Sequence, residues 1–321
     1  LVDRAGPAAA DRRHRLTLFR CSWNGRGPAL PAACLLAAFI FPLAVNAKAI
    51  QLTQADGSIV ELESPARTVV TLSPHLAELA FAAGAGDRLV ATVEYSEFPE
   101  AATHIPRVGD AFRVDVERIV ALRPDLVVAW DSGNPRPAVE QIRSLGLPVW
   151  SVEIRNLEEI PATLEAFGRA AGEEATAGQA ALRFRQRQAA LAARFNGVER
   201  ISYFYQVAEK PLFTINGEHL ISKGLELCNG KNIFADEAGL AFQVSHESVI
   251  LADPDTLLAP WLEGEDDPLE GWRAWPGMSA VNNNALYLLN ADRISRATPR
   301  ILDSLEVACS QLHRLEEPGG S

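Results

Sequence analysis

Beyond residue 47 the sequence carries five histidines, two cysteines and many carboxylates, the side chains with which it could hold a metal, attack a substrate or move a proton. His75, His104, His219, His246 and His313 stand at spacings that fit no compact zinc pattern. A metal site gathered from distant histidines remains an alternative, but each one alone reads as a surface or capping residue. No GxGxxG follows a strand, and there is no GxxxxGK followed by Ser or Thr, no HExxH and no CxxC. The GxSxG turn of a serine nucleophile is also missing. The acids include no pair set apart for general acid–base work. Binding is therefore favoured over catalysis.

One pair of carboxylates is distinguished by its context. Glu117-Arg-Ile-Val-Ala-Leu-Arg-Pro124-Asp125-Leu-Val-Val-Ala129 lies without a gap over Glu247-Ser-Val-Ile-Leu-Ala-Asp-Pro254-Asp255-Thr-Leu-Leu-Ala259, 130 residues downstream. Each run reads as helix, Pro-Asp turn and buried strand. Each places a Glu in the first helical turn, where the helix dipole favours negative charge. The repeat implies two equivalent lobes presenting one carboxylate each at the same spot. Chance recurrence of a common strand–helix connection is the alternative.

The elements needed to position these residues follow from periodicity. Ile50–Leu52 and Ile59–Leu62 alternate around Asp56-Gly57, a hairpin signal. Strands are expected at Val69–Leu72, Leu89–Thr92, Leu126–Trp130 and Val149–Val152, and helices at Pro74 to Gly84, Val116–Leu122 and Pro137–Leu145. This alternation predicts an α/β fold with a mainly parallel sheet. Leu157–Ala171 and Glu174–Phe195 are rich in Ala, Leu, Arg, Gln and Glu. The second is expected to be one long helix, about 30 Å if unbroken. Strands resume at Ile201–Gln206 and open a second lobe. The expected division is 48–171 for an N-terminal lobe, 172–198 for a linker helix, 199–316 for a C-terminal lobe and 317–321 for a loose tail.

The net charge is -11; residues 1–47 carry six Arg against two Asp, so the remainder stands at -15. So acidic a body is a poor partner for nucleic acid or anionic lipid. Residues 1–47 read as an upstream extension and export signal: Arg12, Arg13, Arg15 and Arg20 precede an apolar run from Ala29 to Val45, and Val45-Asn46-Ala47 suits signal peptidase. A membrane anchor is the alternative, weakened by Pro31 and Pro42 within the run. Cys228 and Cys309 remain after cleavage, and an even pair in an exported chain suggests a disulfide. Two unrelated buried thiols are the alternative.

Arg67-Thr-Val-Val-Thr-Leu-Ser-Pro74, Glu78-Leu-Ala-Phe-Ala-Ala-Gly84 and Val116 through Trp130 carry a family resemblance, continued by Pro211-Leu-Phe-Thr214, Leu227 through Phe234, Val244-Ser245, Glu247 and Arg296-Ala-Thr-Pro-Arg300. In these motifs the chain resembles the periplasmic cobalamin-binding proteins of ABC importers, from about Arg67 to Leu312. The βα pattern is shared with haem- and siderophore-binding relatives. The resemblance implies two lobes joined by one long helix and a ligand held between them. Glu117 and Glu247 match the glutamates that dock onto permease arginines, and Cys228 and Cys309 match the family's disulfide. Tyr95 falls on the cleft tyrosine, and Asp292 and Arg296 on a polar contact loop of the C-terminal lobe. Trp130 and Phe213 are expected to face the cleft, where flat rings suit a corrinoid and a few polar groups suit its amides.

The chain departs from the family where tryptophans give way to Ala111 and Ala241; Phe112 and Phe242, next in sequence, are the expected substitutes. His75 follows Pro74 at the expected cleft edge, within reach of the ligand or its cobalt. The implied protein is a monomeric cobalamin or corrinoid carrier with no cofactor of its own and no catalytic role, partnered by a permease dimer and its ATPase. A haem or ferric-siderophore receptor is the alternative, and an exported enzyme is a more distant one.

Overall fold

Residues 49–314 are described in the computed structural model of the chain. The expected export signal, 1–47, and the expected tail, 317–321, lie outside them. The first lobe opens with a hairpin, β1 (Ile50–Thr53) and β2 (Ile59–Leu62), paired antiparallel. Then come β3 (Val69–Thr71), α1 (Pro74–Ala82), β4 (Leu89–Ala91), α2 (Val116–Leu122), β5 (Leu126–Trp130), α3 (Arg136–Ser144), β6 (Val149–Val152) and α4 (Glu159–Ala171). Helix α5 (Glu174–Arg194) leads to the second lobe. That lobe contains β7 (Ile201–Tyr205), β8 (Phe213–Ile215), α6 (Leu220–Glu226), β9 (Gly230–Asn232), β10 (Ala241–Gln243), α7 (His246–Ala252), β11 (Thr256–Trp261), α8 (Ser279–Asn282), β12 (Leu286–Asn290), α9 (Ala291–Ile294) and α10 (Ile301–Leu312).

The sheets run β4-β3-β5-β6 and β12-β11-β7-β9, with every neighbouring pair parallel. Counted within its own sheet, each has the order second, first, third, fourth strand. The architecture is therefore two βα lobes of one topology joined by a long helix, as the sequence pattern indicated. Helices cover both faces of each sheet, so the central strands are apolar on both sides. Leu126 and Val128 of β5 enter one core, whereas Val127 and Ala129 enter another. In the second lobe Tyr203 and Tyr205 face one core and Phe204 the other.

The repeat has a shared physical basis. Helices α2 and α7 both end in left-handed residues, Arg123 (φ 46°) and Asp253 (φ 43°). The Pro-Asp carboxylates that follow are staples between strands. Asp125 Oδ2 accepts from the backbone N–H groups of Arg67 (2.8 Å) and Thr68 (3.0 Å), and Thr68 Oγ1 accepts from Asp125 N–H (3.0 Å). Asp255 Oδ2 accepts from Ser202 N–H (2.9 Å) and its hydroxyl (2.5 Å), while Ser202 Oγ accepts from Asp255 N–H (3.0 Å). Each staple registers the third strand of its four-stranded sheet against the first.

One apolar cluster passes from Leu76 and Phe167 of the first lobe, through Phe184 and Leu191 of α5, to Tyr203 and Leu305 of the second. Helix α5 is therefore packed into both lobes rather than suspended between them. Gly168 of α4 lets it approach closely, since a Cβ there would lie 2.4 Å from that of Ala177. Arg185 bonds Glu158 (2.7 Å) and Glu165 (2.6 Å) near and on α4; Arg187 bonds Asp303 (2.8 Å) and Glu306 (2.9 Å) of α10. Cys228 and Cys309, 81 positions apart, form a disulfide that ties the end of α6 to α10. Among the described residues no helix is long and apolar enough to cross a membrane.

Candidate functional site

In sheets of this topology the loops after the first and third strands diverge to opposite faces and leave a crevice at their carboxyl ends. In the first lobe that crevice is open. Ser73, Pro74 and His75 follow β3, and Trp130 closes β5. They line a cavity of about 400 Å³ whose opposite wall comes from the second lobe, through Glu218, His219, Leu240 and Arg296. The second lobe's own crevice is filled. Trp272 is buried there and donates from Nε1 to Gln206 Oε1 (2.6 Å), just after β7, while Gln206 Nε2 donates to Pro268 O (2.6 Å). The cleft is thus asymmetric although the lobes share a topology.

Pro74 starts α1, but Ser73 does not cap it with its side chain. Ser73 Oγ instead lies 2.6 Å from His75 Nδ1 and fixes the imidazole edge-on to Trp130, with ring centroids 5.4 Å apart at 89°. Burial, and secondarily the Arg296 guanidinium, push the His75 pKa down to about 4. The ring is therefore neutral at ordinary pH. Across the cavity, His219 Nδ1 accepts from Ile221 N–H (3.2 Å), and burial lowers its pKa as well. That hydrogen bond leaves the proton on Nε2, so His219 keeps its ring N–H donor on the nitrogen not engaged by the α6 backbone.

Trp130 is held by Asn134, a buried residue that sequence reasoning missed. Asn134 Oδ1 accepts from Trp130 N–H (2.7 Å), and Nδ2 donates to Leu72 O and Ala111 O (2.8 Å each). One amide thereby joins three loops of the first lobe's rim. Asn is common in loops for local reasons, so nothing in the sequence marked this one as a bracket.

Of the residues singled out in the sequence, Trp130, His75, His219, Ala241 and Arg296 line the cavity directly. Arg296 Nη2 donates to Asp292 Oδ1 (2.9 Å) and to Tyr95 O (3.2 Å), which brings Asp292 and Tyr95 to the same rim from opposite lobes. Tyr95 is 69% exposed, on a backbone with φ 65°. Phe112 is 71% exposed beside Ala111 at the Asn134 bracket. Tyr95 and Phe112 are outside the cavity wall proper, as are Phe213 and Phe242. Phe242 packs edge-on against Phe234 at 6.0 Å, and Phe213 opens β8, paired with β10.

Glu117 and Glu247 occupy matching places away from the cavity lining, each exposed at the second position of its helix. Both helices are capped: Asp115 Oδ1 accepts from Arg118 N–H (3.0 Å), and Ser245 Oγ from Ser248 N–H (3.2 Å). The two carboxylates stand at equivalent positions of two like lobes and touch no part of the cleft.

Two parallel-stranded lobes over one continuous core, with a ring-walled and polar-fringed cleft between them, define a two-lobed binding protein. The chain belongs to the periplasmic binding protein family, whose description matches residues 69–293. It is 38% identical over 258 residues to a vitamin B12-binding protein of Vibrio cholerae, covering 79% of this chain and 92% of that one. It is 35% identical over 260 residues to the vitamin B12-binding protein of Vibrio parahaemolyticus, covering 81% and 94%. Among solved structures it is similar to the periplasmic vitamin B12 binding protein BtuF of Vibrio cholerae, with TM-score 0.72, 38% identity and coverage of 78% of this chain and 98% of that one. A periplasmic haem-binding protein of Pseudomonas aeruginosa has TM-score 0.68 at 21% identity, covering 80% of this chain and 96% of that one, a likeness of fold alone.

Proposed function

We propose that this chain is a periplasmic solute-binding protein that captures vitamin B12 or a related corrinoid between its lobes and delivers it to an ABC permease, without catalysing a reaction. The observation that carries the reading is the open crevice of the first lobe, walled by Trp130 and faced by His219 and Arg296 of the second. The relatives named above supply the ligand class. The enclosed volume, about 400 Å³, is smaller than a whole corrinoid, so part of the guest extends over the rim where Tyr95 and Phe112 stand exposed. Arg296, Asp292 and His219 serve its amides, and Phe213 and Phe242 support the second lobe's side of the rim.

The remaining assignments belong to the same proposal. The lobes divide near residues 171 and 199, and residues 1–47 direct export and are removed. The mature protein works as a monomer, and Glu117 and Glu247 engage one subunit each of a permease dimer driven by its ATPase. Isothermal titration with cyanocobalamin tests the ligand: one equivalent binds, and the red ligand co-elutes with the protein. No heat and no co-elution, together with a Soret shift on adding haemin, would move the assignment to haem.

A further inference from the structure

Helix α1 turns a face of Leu76, Ala77, Leu79 and Ala80 into the core, and in the middle of that face lies Glu78, only 2% exposed. Its partners come from the other lobe. Glu78 Oε1 accepts from Thr298 Oγ1 (2.6 Å) and Arg300 Nε (2.7 Å), and Oε2 accepts from Arg300 Nη2 (2.6 Å). The Arg300 guanidinium also lies 3.8 Å above the Phe98 ring of the first lobe. Its plane is satisfied by the carboxylate and its face by the ring.

Four residues upstream, Arg296 holds the carbonyl of Tyr95. The loop from Tyr95 to Phe98 is therefore held at both ends by one segment of the second lobe, Arg296 at one end and Arg300 at the other. Tyr95 sits at φ 65°, a left-handed conformation that a tyrosine keeps only when its surroundings impose it.

We infer that the buried Glu78–Arg300 pair is a positioning device that fixes the cleft width and presents Arg296 and Tyr95 in guest-ready geometry before any guest arrives. A buried ion pair is weak evidence for stability, since apolar residues of similar size often serve as well or better. What it does provide is direction. A two-pronged Arg–carboxylate contact has one satisfactory arrangement, whereas an apolar contact tolerates several. Losing one partner strands a charge in the core, so the lobes do not slide at this point by small steps. A cleft already in place spares the guest the cost of ordering it.

That the cleft holds the guest rests on the function proposed above; the pinning of the lobes does not, and the test separates them. Spin labels on cysteines replacing the exposed residues Glu140 and Leu251 report the distance between lobes. The otherwise unmodified protein is expected to give one narrow distribution, unchanged by cyanocobalamin. With Glu78→Gln the distribution in free protein broadens, narrows again on saturation, and cyanocobalamin binds roughly tenfold more weakly. Arg300→Lys, which keeps the charge but loses the fork, falls between. The double replacement Glu78→Leu with Arg300→Met leaves no charge unpaired and so remains folded, yet it is expected to broaden the distribution as well. Narrow distributions in all three variants without ligand would overturn the inference. Failure of the unmodified protein to bind cyanocobalamin would instead remove the functional reading, leaving the distance measurement to judge the pin.

Discussion

At the scale of single residues, the cleft is built from side chains whose chemistry has been fixed in advance. His75 is held by Ser73, set edge-on to Trp130 and kept neutral, its pKa near 4 against an unperturbed value of 6.5. The folded state thus binds this proton less readily than the unfolded chain does. The stabilisation is complete above about pH 6.5 and is lost progressively as the pH falls toward 4. Melting temperatures measured across that window should fall less steeply in His75→Gln than in the unmodified protein; identical slopes would remove the assigned protonation state. Corrinoid affinity should be indifferent to pH between about 7 and 8, where this ring does not titrate. Tyr95 is the opposite kind of residue, exposed and on a left-handed backbone. Tyr95→Gly relieves that backbone, so its thermal stability should hold or rise while cyanocobalamin binding weakens by about tenfold. A fall in both would mean that the ring supports the fold rather than the guest.

Elements make the difference between what the sequence disclosed and what it withheld. Helix α2 and strands β5 and β6 stand where hydrophobic runs and Pro-Asp turns placed them, because the signals lie within each element. The internal repeat was legible for the same reason, and its Asp125 and Asp255 prove to be mechanically equivalent staples. Burial raises the Asp125 pKa, but the N–H groups of Arg67 and Thr68 outweigh it and hold the carboxyl below its usual range. Asp125→Ala should cost about 1–3 kcal/mol in equilibrium denaturation by leaving those donors without their partner. A cost near zero would show that water replaces the carboxylate there. The antiparallel pair β8 and β10 was not legible: three residues each, joined across distant sequence, leave no period to read. Asn134 and the Glu78–Arg300 contact escaped for a related reason, since their meaning lies in partners up to 222 positions away.

For the molecule as a whole, the fold keeps the cleft apart from the two matched glutamates. Glu117 and Glu247 sit on capped helices away from the cavity wall, so charge reversal there need not disturb the guest. The double variant Glu117→Arg with Glu247→Arg should abolish uptake in cells while leaving cyanocobalamin affinity in solution within about twofold of the original. Loss of affinity would place those residues elsewhere in the mechanism. The continuous core through α5 and the ties made by Arg185 and Arg187 agree with this picture of lobes that move little.

Trp272, seated in the second lobe's crevice, breaks the likeness of the halves at the one place where likeness would matter to cargo. The first half is a mould and the second a cover. Trp272 is itself buried, so a molecule between the halves meets the crevice beside Trp130 on one side and the wall of His219, Leu240 and Arg296 on the other. Unlike walls of this kind confront any occupant of the cleft with two inequivalent surfaces to match.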